Sequence, residues 1–552
     1  MGAWLRRARL TLETARYLRS GQITNRVWRR LWNPRAVQGA APAPRIPQRP
    51  WIAAPARRPE WHDAVSVTIL AETACVRQAS DWQRAFDTEL RRYHLHYLDQ
   101  LCATIQPAEA FPSSLLDRWI RDNPPGSSPG WDPYPTSRRI VNAFKATLGG
   151  MALSETARAS LADQCRYLIP RIEMHLLGNH VLANAKALLF AGSCLGGAEA
   201  GRWLKLGRQL LAVQVNEQIL ADGGHVERSP MYHAIVTEDL LDLVNLRNAY
   251  ELAGLEFLDP ACTWALAWLG VMCHPDGGIP LVNDSVLDGA CSPAVLEAYA
   301  KQLGVSPAAS PQVPLTLLRA SGFARLAMGQ WCLLAEVGGV APPYQPGHAH
   351  AGTLGYELSV GRDRVVVDTG VSTYSADDVR AQERGTAAHN TVTIDERNSS
   401  EVWSAFRVAR RARVTGLNGG AAADFAWLRA AHDGYRSAWH GVWHERRWRM
   451  SAKTLEIEDT LRGRGAPTVA AAVHFHPECR VELVGPFEAA VTTPSGMSLR
   501  LQLDPAFGWR FESYLYAPNF GVRLPAVVLR GRAVAQLPQS ARMCFELGSA
   551  AE

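Results

Sequence analysis

Apolar residues recur at intervals of three and four through DWQRAFDTELRRYHLHYLDQL, SETARASLADQCRYLIPRIEMHLL, AEAGRWLKLGRQLLAVQVNEQIL and AIVTEDLLDLVNLRNAYELAG. That spacing places one apolar stripe along each segment and predicts helices from about residue 80 to residue 310. Short Gly, Pro, Asn and Asp breaks separate them, so many consecutive helices form a toroid or solenoid. From about Leu317 the period becomes two. RASGFARLAMGQWCLLAEVG, TLGYELSVGRDRVVVDTG, HNTVTIDE, RVARRARVTGLN, WHERRWRMSAKTLEIEDTLRG and SLRLQLDP read as strands. GRDR (361–364) and GLNGG (416–420) read as turns. The second half is therefore antiparallel β, a large sandwich.

Ahead of the helices, residues 36–59 are rich in Ala and Pro and predict an extended linker or wrapping arm. The division that follows is 1–60 for a basic arm and linker, 61–312 for a helical domain and 313–552 for a β domain. A chain of 552 residues is long enough for two large cores.

Charge changes the picture at one place. Residues 1–35 hold Arg6, Arg7, Arg9, Arg16, Arg19, Arg26, Arg29, Arg30 and Arg35 against one acid, Glu13. The whole chain is only +6, so the remainder is slightly acidic and nucleic-acid binding is excluded as a reading of the charge. The arm mixes these arginines with Leu, Trp, Ile and Val. It either lies on an anionic membrane surface or a neighbouring protein, or docks as a solvated helix on its own domain. No apolar leader core is recognisable, which makes the cytoplasm the default location and the periplasm the alternative. The ten cysteines form no Cys-x-x-Cys pair and predict no thiolate metal site.

Four clusters carry candidate chemistry. GNHVLANAKALL places Asn179 and His180 where a helix begins. DGGHVERSPMYH places Glu227, Arg228 and Tyr232 around a second helix start. PGHAHAG carries His348 and His350 two apart, on one side of an extended segment. Asp368 and His389 follow on later strands. His350, Asp368 and His389 offer two nitrogens and one oxygen, a donor set suited to zinc. Hydrogen-bonded histidines on a sandwich face are the alternative. Asn179 is equally an N-cap, Tyr232 a core aromatic, and Glu227 with Arg228 a local ion pair. Trp131, Tyr134 and Arg138 in WDPYPTSRR form either a sugar platform or a rigid turn.

These segments resemble the heparinase II/III-like family of polysaccharide lyases, which is also similar to toroid-type alginate lyases. The resemblance rests on WDPYPTSRRIVN (131–142), GNHVLANAKALL (178–189), DGGHVERSPMYH (222–233), PLVNDS (280–285), GHAH (347–350), GTAAHNTV (385–392) and SEVWSAFRVARRARV (400–414), in the expected order. It implies a multidomain α+β chain, an (α/α) toroid followed by an antiparallel β-sandwich. It further implies that Tyr232 and His348 are catalytic, that Asn179 and His180 bind and neutralise a uronate carboxylate, and that His350, Asp368 and His389 hold a structural or positioning divalent metal, zinc by its usual identity.

The expected function is cleavage of an acidic, uronate-containing polysaccharide by β-elimination, leaving a 4,5-unsaturated end. The polymer is glycosaminoglycan-like or alginate-like. The C5 proton is weakly acidic, and its removal places new charge beside an existing carboxylate, so preorganised donors are required. A tyrosine can act as base only if cations lower its pKa from about 10. Arg228, His348 or His180 would supply that field. Arg228 and the WDPYPTSRR residues would add substrate contacts. Two departures stand out, Gly352 where relatives read Asp after the histidine pair and Ala183 where some read Glu. The alternative is a non-catalytic or hydrolytic polysaccharide-binding protein of an exopolysaccharide or capsule system. Hydrolysis would need paired carboxylates, such as Glu227 with Asp132 or Asp284.

Overall fold

The computed structural model describes residues 2–32, 34–103, 111–309, 313–437 and 440–548. Two helices, Gly2–Ala15 and Ser20–Leu31, open the chain. An extended arm then wraps the helical body. Pro44 bridges Leu195, the amides of Gln48 and Arg49 donate to Ala249 O, and Arg57 pairs with Glu238 at 2.6 Å. The predicted helical stretch 81–101 breaks into Asp81–Arg84, Glu89–Tyr97 and a 3-10 turn Asp99–Cys102. Thr88 caps the second piece by accepting from Arg91 N, and Leu98 ends it in the left-handed region.

Paired helices build the toroid. Asn179–Cys194 packs along Gly197–Gln218, and Pro230–Tyr250 packs on Leu258–Val271. The apolar core runs through Trp82, Trp119, Leu188, Trp203 and Leu240. The expectation of one buried stripe per helix fails for Asn179–Cys194 and Pro230–Tyr250, which are buried almost all round. Their charged residues look like an outer face in the sequence but pair internally. Lys186 Nζ lies 2.7 Å from Asp239 and 2.6 Å from Asp242, and Lys145 lies 2.8 Å from Asp242. Burial of such charges is tolerated because each finds a partner of opposite sign.

After the last helix, Pro293–Gln302, the first strand is Leu315–Leu318, and residues 310–312 at the expected domain boundary lie outside the described residues. Among the described residues, antiparallel sheets of eight, five and four strands follow, with a two-stranded ribbon of Val402–Trp403 and Arg407–Val408. The eight-stranded sheet alternates buried and open residues along Phe425–Tyr435, Val442–Ser451 and Thr454–Arg462, the period of two that the sequence predicts. The five- and four-stranded sheets meet through a bridge between Val366 and Phe475. Together they cover the eight-stranded sheet over a core that includes Leu326, Trp331, Leu358, Trp448, Ile457, Leu529 and Phe545. GLNGG does not turn. It lies in the strand Val414–Ala421, where a register shift between Thr415 and Asn418 absorbs Gly416 at φ +64°.

The two bodies meet over apolar clusters. Trp268, Met272 and Val282 pack on Leu318, Phe323 and Leu334, and Leu177 and Val181 pack on Tyr344. Arg325 adds hydrogen bonds to Val271 O and Cys273 O.

Candidate active site

Glu227 organises the cleft from the helical side. It is buried, its Oε1 accepts from Asn179 N at 2.8 Å, and its Oε2 lies 3.2 Å from His348 Nε2. The expected local ion pair between Glu227 and Arg228 is therefore absent. Arg228, at φ +55°, turns away and donates to Gly339 O at 2.6 Å and Ala320 O at 3.1 Å. Its guanidinium joins the two bodies, and this corrects its placement among the substrate contacts.

Asn179 is the first residue of the helix Asn179–Cys194, whose cap position is Gly178. The N-cap alternative is thus overturned. The Asn179 side chain is buried and its Oδ1 has no hydrogen-bond partner. Gly178 sits at φ +58°, and a Cβ there would collide with Glu227 Oε1 and Gln345 Oε1. Glycine is required so that both side chains can close over the helix start. Gln345 Oε1 is likewise buried without a partner.

His180 follows, with Nδ1 3.1 Å from Glu173 Oε1 and its ring 4.8 Å from that of Tyr134. Burial alone would lower its pKa, but Glu173 more than offsets this and holds it above the ordinary value. Glu173 is fixed in turn by Asn184 Nδ2 at 3.1 Å. Tyr134 and Arg138 stay beside this group. Tyr134 packs on Tyr97 as well as on His180, and Arg138 lies 3.6 Å from Asp239 with its guanidinium 5.9 Å from the Tyr97 ring centre. Trp131 does not join them. It is fully buried, donates to Asn123 O at 3.1 Å and stacks on Trp119, so its indole supports the core rather than a sugar.

Tyr232 stands in the first turn of Pro230–Tyr250, whose cap Ser229 accepts from Tyr232 N. Its ring stacks on His348 at 3.8 Å between centroids, and its hydroxyl lies 3.4 Å from that of Tyr374. Burial first, and then Tyr374, push its pKa well above 10. This corrects the expectation of a phenol made acidic by neighbouring cations. Arg228 points elsewhere, and the free protein keeps the proton on Tyr232.

His348 comes from the β side, and Asp284 fixes it. Asp284 Oδ2 lies 2.9 Å from His348 Nδ1, Oδ1 lies 2.8 Å from His350 Nε2, and Arg380 donates to both oxygens. Burial would raise the Asp284 carboxyl, but Arg380 and the two histidines hold it well below the ordinary range. Asn283 completes the clamp, accepting from His350 N and donating to Arg228 O, each at 2.9 Å. The hydrolytic alternative loses its carboxylate pair here. Asp284 is locked to three partners, and Asp132 accepts from Tyr93 at 2.9 Å.

The expected metal residues gather deeper in the β side. The rings of His350 and His389 lie 5.4 Å apart, and His389 Nδ1 lies 2.6 Å from Asp368 Oδ2. Burial lowers the pKa of His350 to about 3, while Asp368 more than offsets burial at His389 and raises it. His350 Nδ1 and His389 Nε2 are both buried without hydrogen-bond partners. As placed, Asp368 orients His389 instead of facing His350. Glu336, pushed up to about 7 by burial, stands beside them, and a Cβ on Gly352 would come within 3.1 Å of its Oε2. Among the described residues, the group whose donor atoms all lie within 4.8 Å of one another is a different one, Glu60, His94 and Asp99. Arg57 and Arg138 already act electrostatically on its Asp99.

Glu173, Gln345 and Tyr374 complete the cleft without standing among the sequence candidates, and Glu227 and Asp284, read there as an ion pair or a hydrolytic pair, instead hold His348 and the Asn179 helix start. Asp284 lies in PLVNDS and Glu227 in DGGHVERS, so both were visible as motif residues, but their partners are distant in sequence. Gln345 and Tyr374 carry no local signal.

Profiles described as "Heparinase II/III N-terminus" and "Heparinase II/III-like, C-terminal" match residues 117–308 and 310–541. The chain is similar to a heparin-sulfate lyase of Pedobacter heparinus, 26% identical over 317 residues, which covers 51% of this chain and 47% of that protein. The match thus spans about half the length of that relative. It is also similar to FtsZ-localized protein C of Caulobacter vibrioides, 24% identical over 72% of this chain and 71% of that one. The crystal structure of a heparinase III superposes with a TM-score of 0.67 at 17% identity, over 84% of this chain and 78% of the other. That likeness places the architecture among toroid-plus-sandwich folds.

Proposed function

Because this chain belongs to the heparinase II/III family, we propose that it is a polysaccharide lyase that cleaves a uronate-containing polymer by β-elimination. One observation carries the reading: the Tyr232 phenol of the toroid stacks at 3.8 Å on the His348 imidazole of the sandwich, with Glu227, which accepts from Asn179 N, 3.2 Å from that imidazole.

In this reading the Asn179 amide and the charged face of His180 meet the uronate carboxylate and offset the charge that builds as C5 loses its proton. Gln345 lies against Gly178 at the same helix start and adds a second amide. Asp284 occupies His348 Nδ1, which leaves Nε2 as the working nitrogen. Glu227 stands 3.2 Å from Nε2, but its Oε2 makes no hydrogen bond, so Nε2 is open to take the C5 proton. Tyr232 keeps its own proton through burial and gives it to O4. The C5–H and C4–O4 bonds break, the C4–C5 double bond forms, and no water is consumed. Tyr134 and Arg138 line the approach.

A divalent cation would be held by His350 Nδ1 and His389 Nε2, with Asp368 orienting His389 from behind. It would brace the wall behind His348 and supply fixed positive charge.

The test is incubation with a panel of heparan-like, chondroitin-like, alginate-like and bacterial acidic polymers, followed by the ultraviolet absorbance of the conjugated product. At least one polymer should give that absorbance, and Tyr232→Phe should lower the rate by about 10²–10⁴-fold. New reducing ends without absorbance, binding without turnover on every polymer, or full activity in Tyr232→Phe would each refute the proposal.

A further inference from the structure

The two N-terminal helices dock on the body through one face and leave the opposite face apolar and basic. On Gly2–Ala15, Leu10 is buried, Trp403 Nε1 donates to Thr14 Oγ1 at 3.1 Å, and Arg9 pairs with Glu401 at 2.6 Å. On Ser20–Leu31, the buried Gln22 donates to Tyr344 O at 3.2 Å, and Arg29 Nη1 lies 3.0 Å from His175 Nδ1. At the joint, Arg19 pairs with Glu217 at 2.6 Å and covers the Tyr344 ring at 3.7 Å.

The outward faces are unlike ordinary surface. A helix advances about 100° per residue, so Trp4, Leu5 and Leu12 fall within one arc, away from Leu10 and Thr14. Ile23, Val27 and Leu31 form a second stripe, with Trp28 and Trp32 at its edge and their rings 5.3 Å apart. Trp4 is 72% exposed, Leu12 72%, Trp28 54% and Leu31 79%. Arg6, Arg7, Arg26 and Arg30 are exposed beside these residues. The arm's one acid, Glu13, is taken by Arg9 at 2.9 Å, so nothing within residues 1–35 offsets them.

We infer that this helical pair is a docking surface for an anionic phospholipid membrane. Charge complementarity selects the occupant. Arginines flanking a Trp- and Leu-bearing face match negative headgroups above an acyl layer, with the indoles at the boundary. Among the described residues no helix is long and apolar enough to cross a membrane, so the arm would lie in the interface plane. The inference does not depend on the lyase reading.

The experiment is flotation of the full-length protein with vesicles of phosphatidylcholine alone and of equal parts phosphatidylcholine and phosphatidylglycerol. The protein should float with the anionic vesicles, remain behind with the neutral ones, and be released by high salt. Combined substitution of Trp4, Leu12, Trp28 and Leu31 by Ser should lower partitioning at least about ten-fold. Combined substitution of Arg6, Arg7, Arg26 and Arg30 by Gln should lower it by about five-fold per arginine. An unchanged thermal melt shows that each variant is folded, since all eight side chains face solvent. Quenching of tryptophan fluorescence by brominated lipid should be lost in the Ser variant. Absence of flotation with anionic vesicles overturns the inference, and so does flotation that survives the Ser substitutions.

Discussion

His180 shows how a single side chain is tuned. Burial disfavours its charged form, yet Glu173 at 3.1 Å favours it more, and the pKa ends above the ordinary 6.5. A group raised on folding adds stability that is complete below its unfolded pKa and is lost as pH rises through the folded value. Glu173→Gln leaves burial opposed only by the weaker field of Glu227, so His180 should titrate below the parent value in an NMR titration. The alkaline limb of turnover should move to lower pH with it, and a profile that does not move would exclude a charged His180 at the carboxylate. At this scale Tyr232, His348, Asn179 and His180, which type and motif picked out, are gathered into one cleft. The sequence misjudged residues whose role is set by what surrounds them. Trp131 and Arg228 have the right chemistry for a sugar acid, but one is sealed in the core and the other spends its donors on Gly339 and Ala320.

Elements were legible where one face meets solvent. The strands Val442–Ser451 and Thr454–Arg462 alternate as the pattern demands. Legibility failed where local rules met tertiary constraint. The break between Asp81–Arg84 and Glu89–Tyr97 interrupts a continuous helical period, and the three glycines of GLNGG, which look like a turn, sit in a bulged strand. The helices Asn179–Cys194 and Pro230–Tyr250 carry charged residues that a solvated face would also carry. Only the pairing of Lys186 and Lys145 with Asp239 and Asp242 shows that this face is interior. Lys186→Met should therefore destabilise the chain by about 3–5 kcal/mol, because it strands buried carboxylates. Denaturant unfolding measures this directly, and a loss below about 1 kcal/mol would indicate a solvated network.

At the scale of the whole molecule, the order of a helical toroid and a β-sandwich followed from the change of period, while the seam between them did not. Its residues are scattered, and Asp284 alone joins His348, His350 and Arg380. Asp284→Asn keeps the shape and removes the charge, leaving Arg380 buried without its counter-ion. Turnover should fall by about 10⁴-fold, a loss of the size seen when a catalytic imidazole loses its orienting carboxylate. Hydrogen exchange should rise around residues 347–350 and 380–384. A variant that keeps full turnover would remove Asp284 from the positioning of His348.

The division of the centre between two bodies also governs timing. Translation proceeds from the amino end, and domains tend to fold as they emerge. The toroid with Tyr232, Asn179 and His180 can therefore take shape while His348 and its supporting strands are still unmade. A nascent chain at that stage owns the Tyr232 phenol, the Asn179 amide and His180, but not the His348 imidazole that the proposed elimination uses as its base. Under the proposed mechanism, competence arrives only when the carboxyl-terminal half closes on its forerunner, and a chain truncated before His348 lacks the base.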